Sequence, residues 1–328
     1  MASVEWEFLH SQLHERQHRL ESAIATAPQD AALTELLQQV DAALERMSTG
    51  TYGLCDFCHE AIEKERLLAD PLICLCIDHL NEKQKEELQR DLELAGRIQR
   101  ELLPKQDLRW GGWEIRHHWE PRGIVSGDYC DLVAPESDTG CLFFALGDVA
   151  GKGVAASMMM TQLHAMFRSL ASVGLPLEQM VTLANRVFCE NVISGQYATL
   201  ICGRASRTGE VELSNVGHWP ALVVRGKNIE QIESVGVPLG MFCTRQYPAQ
   251  KIQLAPGDTL FLYTDGLVES RDHADGEYGI ERLSGLLAEH RSMSPQELTE
   301  ACIRNLRAFS NGQPSHDDLT LMALRRVG

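Results

Sequence analysis

The sequence predicts an α+β protein with a layered domain in its C-terminal two-thirds. Three observations lead to this prediction. From Trp110 onward, short segments of strand-like alternation are separated by glycine, aspartate and proline. Two amphipathic helical segments are grouped between those strands, which favours layered sheets over an alternating parallel α/β fold. Before residue 49, apolar residues instead recur at helical spacing.

Length and composition limit the classes of function. The chain has 328 residues, 44% of them hydrophobic, which is enough for two or three domains. The net charge of -16 argues against general affinity for nucleic acid or anionic membranes, because both require clustered lysine and arginine. No apolar stretch approaches the roughly 20 residues of a membrane span, and the N-terminus lacks the pattern of a signal peptide. We therefore expect a cytoplasmic protein with neither membrane nor direct nucleic-acid partners.

Residues 1–48 are predicted to form a helical hairpin. Residues 4–26 and 31–48 both carry helical periodicity. Pro28 is expected to stop the first helix, and Asp30 is expected to cap the second.

Residues 49–80 contain cysteines at the spacing of metal ligands. Cys55 and Cys58 form a Cys-x-x-Cys knuckle, and Cys76 and His79 form a Cys-x-x-His knuckle after 17 intervening residues. Two such knuckles supply the four sulfur and nitrogen ligands that zinc takes in a tetrahedron, so the sequence predicts one Zn²⁺. Cys74 is a further thiol that could replace Cys76 or His79. The simpler alternative is that these thiols are only buried, as we expect for the six isolated cysteines elsewhere.

Residues 81–104 are predicted to be a linking helix that ends at Pro104. Five of its positions have coiled-coil spacing: Leu88, Leu92, Ala95, Gln99 and Leu102. Homodimerisation through this seam and packing of an amphipathic helix on its own domain explain the pattern equally well.

Residues 105–328 are predicted to form the layered domain. Its expected helices are Ala155–Val173 and Leu177–Asn191. The expected strands are Cys141–Gly147, Ala198–Ala205, Val211–Asn215, Ala221–Arg225, Thr259–Tyr263 and Leu319–Leu324.

Four motifs in this domain place an aspartate at a strand end, mostly beside glycine. Any one of them alone is more often a turn. Together they would form an oxygen-rich site for a hard cation such as Mg²⁺ or Mn²⁺, if the carboxylates converge. The second also looks like a phosphate-binding loop but lacks the required glycine–lysine spacing. The motifs are Val125–Asp131, Gly147–Gly153, Tyr263–Leu267 and Ser315–Thr320.

The order of these motifs over residues 88–326 resembles the SpoIIE/RsbU-like branch of the metal-dependent (PPM, type 2C) serine/threonine protein phosphatases. The resemblance implies a sandwich of two antiparallel sheets flanked by helices. It also implies a phosphoserine/phosphothreonine phosphatase that uses two Mn²⁺ or Mg²⁺ ions. Further segments that carry the resemblance are Leu94–Pro104, Asn215–Ala221, Gly236–Gly240 and Leu254–Asp258.

The same resemblance implies a role for each site residue. Asp148 would bridge the two ions, and the Val149 carbonyl would contact one of them. Asp265 and Asp317 would bind the second ion, and Asp128 would bind metal directly or through water. The ions would then activate a bridging water for in-line attack on phosphorus. Two other aspartates are expected to be supporting or structural: Asp131 and Asp318.

The segment Gly50–Cys58, continued by Leu75–Asp78, resembles the DksA/TraR zinc-finger family. That family also carries an N-terminal helical hairpin, although a cysteine is usual where this chain has His79. The phosphatase resemblance implies a STAS-type anti-sigma-factor antagonist as the phosphorylated substrate, and we expect regulation through the finger. The alternative is a transcription-associated protein that docks on RNA polymerase through its hairpin. The short hairpin tip carries a single acid, Asp30, and so disfavours that alternative.

Overall fold

The structure, a computed structural model, describes residues 2–26, 29–79, 82–135, 140–191, 195–313 and 315–328, with the side chains of 2–8, 65 and 82–83 left out. Pro28, which was predicted to stop the first helix, lies outside this range. The chain divides into two units, Met1–Asp91 and Leu92–Gly328. Among the helices that the structure describes, none has both the length and the apolar character of a membrane span.

In the first unit, helices α1 (Ala2–Thr26) and α2 (Ala31–Thr49) pack on each other. The predicted cap is confirmed, because the Asp30 carboxylate accepts hydrogen bonds from the backbone N–H groups of Ala32 and Leu33. A short helix α3 (Lys64–Ala69) and a 3₁₀ turn at Ile77–His79 follow. One apolar core joins hairpin and cysteine segment: Leu9, Leu13, Leu20, Val40, Ala43, Tyr52, Cys55, Ile62, Leu67 and Cys76.

Helix α4 (Glu82–Leu102) is the predicted linking helix and runs through the boundary between the two units. In the second unit, its Gly96 lies directly against the carbonyl group of Ile124. The Gln99 side chain, also on α4, is buried. This end of the predicted seam therefore packs on the domain that follows it.

The second unit is a sandwich of two antiparallel sheets, so the predicted fold class is confirmed. The six-stranded sheet has the order β1-β2-β11-β10-β7-β8, and the five-stranded sheet has the order β3-β4-β5-β6-β9. The strands are β1 (Asp107–Trp110), β2 (Trp113–Glu120), β3 (Tyr129–Val133), β4 (Leu142–Val149), β5 (Ala198–Ala205), β6 (Glu210–Val216), β7 (Ala221–Arg225), β8 (Asn228–Ile232), β9 (Gln250–Gln253), β10 (Thr259–Tyr263) and β11 (Leu319–Arg326).

Helices cover the outer face of each sheet. Helices α5 (Gly153–Ala171) and α6 (Leu177–Asn191) pack on the five-stranded sheet. Helices α8 (Ile280–Glu289) and α9 (Pro295–Ser310) pack on the six-stranded sheet, after the short helix α7 (Asp265–Val268). The layer between the sheets is apolar and includes Phe144, Leu262 and Met322. The sandwich is thus a four-layer arrangement whose strand ends are free to carry polar groups.

The expectation that the isolated cysteines are buried free thiols is partly wrong. Cys189 and Cys243 form a disulfide, which joins α6 to the loop after Gly240. Cys141 is exposed, because it precedes the buried strand β4. The remaining three are buried free thiols as predicted: Cys130, Cys202 and Cys302.

Candidate metal centre

Both sheets deliver aspartates to the same rim of the sandwich. Asp128 directly precedes β3, and Asp148 is the penultimate residue of the neighbouring strand β4. In the other sheet, Asp265 begins α7 two residues after β10, and Asp317 lies two residues before β11. Each pair of strands is adjacent and antiparallel, so the end of one strand meets the beginning of the other.

Asp128 links the two sheets. Its carboxylate is buried and accepts hydrogen bonds from the Thr264 hydroxyl at 3.0 Å and the Thr320 hydroxyl at 2.5 Å, both in the opposite sheet. Its backbone N–H donates to the Ser126 hydroxyl at 3.0 Å. Asp128 is therefore held in one orientation by groups from three segments of the chain.

The carboxylates of this rim repel one another. Burial, followed by the charge of Asp148, raises the pKa of Asp128 well above its usual value. Burial and the charges of Asp265 and Asp317 raise the pKa of Asp148 to about 8. Burial and the charge of Asp317 raise the pKa of Asp265 to about 6. The structure thus brings together the four aspartates that the sequence singled out, in one negatively charged cluster.

Asp318 and Asp131 are structural, as predicted. The Asp318 carboxylate accepts hydrogen bonds from the backbone N–H groups of Arg122 (2.7 Å) and Gly127 (2.9 Å), and so fixes the segment before Asp128. Asp131 is buried in a two-bond ion pair with Arg168, at 2.7 and 2.8 Å, under α5. Its oxygens therefore have partners other than a metal ion.

Gln99 supports the site in a way that sequence reasoning missed. Its side-chain N–H donates to the Ser126 carbonyl at 2.9 Å, and its side-chain oxygen accepts from the Ser126 N–H at 2.9 Å. This paired contact ties α4 to the segment that carries Asp128. From the sequence, a glutamine at a seam position of a helix predicts only packing against another helix. Its contact with Ser126 is evident only from the folded structure.

His218 is buried beside the site as a neutral ring. One ring nitrogen contacts the Thr199 hydroxyl at 2.7 Å, and the other contacts the Tyr263 carbonyl at 3.0 Å. Burial lowers its pKa to about 4. A neutral histidine with both nitrogens bonded connects β5, β6 and β10 rather than donating protons to a substrate.

The residues of the rim fit hard divalent cations. The side-chain donors are carboxylate oxygens, which such cations prefer, and a bound cation would relieve the repulsion that raises the pKa of Asp148 and of Asp265. The Val149 carbonyl, at the end of β4, lies near the Asp148 carboxylate, because a Cβ at Gly127 would be 3.2 Å from the Val149 oxygen and 3.5 Å from Oδ1 of Asp148. No sulfur or imidazole donor is required, which favours Mg²⁺ or Mn²⁺ over zinc at this rim.

A second donor set of different chemistry lies in the first unit. One donor atom from each of Cys55, Cys58, Cys76 and His79 lies within 4.8 Å of the others. The Cys58 and Cys76 sulfurs are 3.8 Å apart, about the edge of a tetrahedron with 2.3 Å bonds. Burial raises the pKa of the Cys55 thiol, but backbone N–H groups of Cys58, Cys76 and Phe57 outweigh it and lower the pKa to about 6. Cys74 does not belong to this set.

A two-sheet sandwich with clustered carboxylates at one rim defines the class of PP2C-like, metal-dependent serine phosphatases. Within that class, the model of the family described as stage II sporulation protein E (SpoIIE) matches residues 138–327, which is more than half of the chain. The chain therefore belongs to the SpoIIE family.

Similar proteins agree with this assignment. The chain is 27% identical to phosphoserine phosphatase RsbU of Bacillus subtilis over 245 residues, 74% of this chain and 72% of RsbU. It is 25% identical to protein IcfG of Synechocystis over 265 residues, 72% of this chain but 41% of IcfG. In fold, it matches the SiaA-PP2C domain of Pseudomonas aeruginosa with a TM-score of 0.63 and 20% identity, covering 74% of this chain and 98% of that domain. The RsbU and RsbW domains of a Mycobacterium tuberculosis protein match with a TM-score of 0.58 and 26% identity, over 69% and 62% of the two chains.

Proposed function

We propose that this enzyme removes phosphate from phosphoserine or phosphothreonine in a protein, by two-metal hydrolysis at the rim of the sandwich. The observation that carries the proposal is the convergence of carboxylates from both sheets in one repelling cluster. Such a cluster costs folding free energy unless cations neutralise it, so its presence argues for a function.

In the proposed site, Asp148 would be shared by two Mn²⁺ or Mg²⁺ ions and the Val149 carbonyl would help to hold one of them. Asp265 and Asp317 would hold the second ion, and Asp128 would hold metal directly or through water. Asp148 has a side-chain hydrogen bond with Asp128 and lies near enough to Asp265 and Asp317 for their charges to raise its pKa, which supports a role shared by both ions. The hydroxyls of Thr264 and Thr320 support the role of Asp128, because they fix its orientation.

When bound, the ions supply the Lewis acidity that activates a water for in-line attack and neutralises charge on the phosphoryl oxygens. The residues of this chain hold that arrangement in place. Asp318 fixes the backbone at Gly127, and Gln99 fixes Ser126, so the segment before Asp128 cannot move freely. Because the ions would activate a water, no protein nucleophile is needed. His218 is neutral and structural, so it is not assigned the role of an acid.

We propose a STAS-type anti-sigma-factor antagonist as the substrate, in bacterial signalling. The similarity to phosphoserine phosphatase RsbU supports phosphoserine as the group acted on, and the STAS class follows from the family resemblance in the sequence. The alternative, docking on RNA polymerase through the hairpin, is not favoured, because the comparisons match the phosphatase fold. A cytoplasmic location and homodimerisation through α4 belong to the same proposal.

We further propose that Cys55, Cys58, Cys76 and His79 bind one Zn²⁺ in a DksA/TraR-like finger, and that the finger regulates the phosphatase. The spacing of the four donors supports zinc. Helix α4 supports regulation, because it continues from the first unit into the contact between Gln99 and Ser126. If zinc removal leaves the Mn²⁺-dependent activity unchanged, the regulatory part of this proposal is wrong.

The test of the enzyme is Mn²⁺-dependent release of phosphate from a phosphorylated STAS protein of the source organism. Asp265→Ala should lower the rate by roughly 100-fold or more, because it removes a metal ligand. The matched control is Asp107→Ala, which removes an exposed aspartate paired with Arg116 on the edge strand β1. Equal rates in the two variants would contradict the proposed site.

A further inference from the structure

Lys152 is the positively charged side chain that contacts the carboxylate rim. Its Nζ lies 2.7 Å from Oδ2 of Asp317 and 2.9 Å from the carbonyl oxygen of His316. In the part of the chain that the structure describes, no other lysine or arginine forms an ion pair with Asp128, Asp148, Asp265 or Asp317. Lys152 belongs to the Gly-Lys-Gly segment after β4, the same segment that failed as a conventional phosphate-binding loop.

Both oxygens of Asp317, which the proposed function assigns to a metal ion, already have partners: Lys152 contacts Oδ2, and the backbone N–H of Asp318 donates to Oδ1 at 3.0 Å. A divalent cation at Asp317 carries the same sign of charge as the ammonium group and repels it. Lys152 can leave, because 54% of its side chain is exposed and its four-carbon stem is flexible. Metal binding at Asp317 and the Lys152–Asp317 ion pair therefore compete.

We propose that Lys152 holds Asp317 while the site lacks metal, and that it binds the phosphoryl group of the substrate once metal takes its place. This inference rests on the proposed function. The anion that arrives beside Asp317 is a phosphate monoester, and lysine binds phosphate as a point charge. Lys152 thus competes with metal for Asp317 when the substrate is absent, and it binds the phosphoryl group of the substrate when metal is bound.

The two roles predict changes of opposite sign when the charge is removed. Lys152→Met should bind Mn²⁺ about fivefold more tightly in the absence of substrate, because a partly exposed ion pair no longer competes. The same variant should bind phosphate about tenfold more weakly, because a charge-assisted hydrogen bond is lost. A lysine that merely stabilises the loop would not produce this pair of opposite changes.

The experiment measures two constants on the full-length protein. Isothermal titration calorimetry gives the dissociation constant for Mn²⁺ without substrate. Inhibition by inorganic phosphate at saturating Mn²⁺ gives the affinity of the site for the product anion. Lys152→Arg keeps the charge and should stay close to the wild type in both constants. Lys251→Met removes an exposed lysine that is also ion-paired, with Glu210 on the far side of the five-stranded sheet, and should change neither.

Tighter Mn²⁺ binding together with weaker phosphate inhibition in Lys152→Met supports the proposal, and the absence of either change overturns it. A wild-type protein that binds Mn²⁺ but releases no phosphate contradicts the proposed function, and the role of Lys152 with it. An active wild type whose two constants are unaffected by Lys152→Met overturns the role of Lys152 alone.

Discussion

At the scale of single residues, the rim depends on side chains that no motif identifies. Thr264 and Thr320 lie 56 positions apart, yet the Thr264 hydroxyl accepts the Thr320 N–H at 3.0 Å and both hydroxyls donate to Asp128. The aspartates themselves could be predicted, because each ends or precedes a strand beside glycine or a second aspartate. Their hydroxyl partners could not, because a threonine near a strand end is equally suited to ordinary sheet pairing.

Because Gly266 has no side chain, the two segments that carry Asp265 and Asp317 can lie close together at the rim. A Cβ atom at this position would overlap the carbonyl oxygen of Asp318, so any larger residue separates Asp265 from Asp317. We expect Gly266→Ala to cost about 2 kcal/mol or more in unfolding free energy and to weaken Mn²⁺ binding by roughly tenfold. Urea denaturation and calorimetric Mn²⁺ titration measure the two effects. Unchanged Mn²⁺ affinity would show that the spacing of these aspartates does not matter.

His218 makes the stability of the phosphatase unit depend on pH. Burial lowers its folded-state pKa from 6.5 to about 4, so the unfolded chain takes up a proton at a pH where the folded one does not. The stabilisation that results from this difference in pKa is fully present above about pH 6.5 and is lost as the pH falls towards 4. Between pH 7 and pH 5, the wild type should lose about 2 kcal/mol more unfolding free energy than His218→Gln, which has no such titration. Parallel pH dependences in urea denaturation would rule this out.

At the scale of elements, the strands predicted from sequence are those buried on both faces. Strand β4 is buried at nearly every position, and its apolar run was evident. The list of expected strands lacked β1, β2, β3, β8 and β9, although β3 is also mostly buried. Strands β8 (Asn228–Ile232) and β9 (Gln250–Gln253) were missed because they are mostly polar edge segments. Pairing with β7 and β6 makes them strands, and a single sequence does not display a pairing partner.

Helix α4 packs on the segment that leads to the rim at Gly96, a residue without a side chain. A Cβ at Gly96 would overlap the carbonyl oxygen of Ile124, so Gly96→Ala should displace the helix and strain the Gln99–Ser126 contact. We expect about tenfold lower phosphatase activity, because Ser126 positions Asp128. The measurement is the Mn²⁺-dependent rate.

Gly285→Ala is the matched control for this change. Gly285 lies inside α8 with open space around its Cα, so the substitution should add about 0.5–1 kcal/mol of stability through helix propensity. Equal activity in Gly96→Ala and Gly285→Ala would mean that the contact between α4 and residue 124 has no role in the site.

At the scale of the whole molecule, the sequence predicted four segments, with boundaries after residues 48, 80 and 104, whereas the structure has two units that divide within α4, between Asp91 and Leu92. The chemistry of each unit remains a prediction. Cysteine spacing indicated one metal site, and ordered aspartates indicated the other. The disulfide between Cys189 and Cys243 was missed, because 54 residues separate them and neither stands in a recognisable motif. A contact between distant segments accounts for the missed disulfide, whereas helices α8 and α9 were not predicted although their signals are local, including the capping box of Ser294 and Glu297.

The proposed zinc site should stabilise one unit and leave the other unaffected. Cys58→Ser removes a ligand and should lower the melting temperature of the Met1–Asp91 unit by several degrees, because metal binding is coupled to folding in small zinc modules. Cys74→Ser is the control, since Cys74 lies nearby but outside the ligand set. Scanning calorimetry resolves the transitions of the two units. Equal melting temperatures of this unit in the two variants would show that zinc does not stabilise it.

The shared rim of the two sheets has a consequence for ion choice. Each sheet contributes two of the four aspartates, so their separation follows the thickness of the apolar layer that contains Phe144, Leu262 and Met322. Mg²⁺ demands oxygen distances near 2.0–2.1 Å and tolerates little departure from them. We therefore expect the volume of the side chains between the sheets to influence the preference of the site between Mg²⁺ and Mn²⁺.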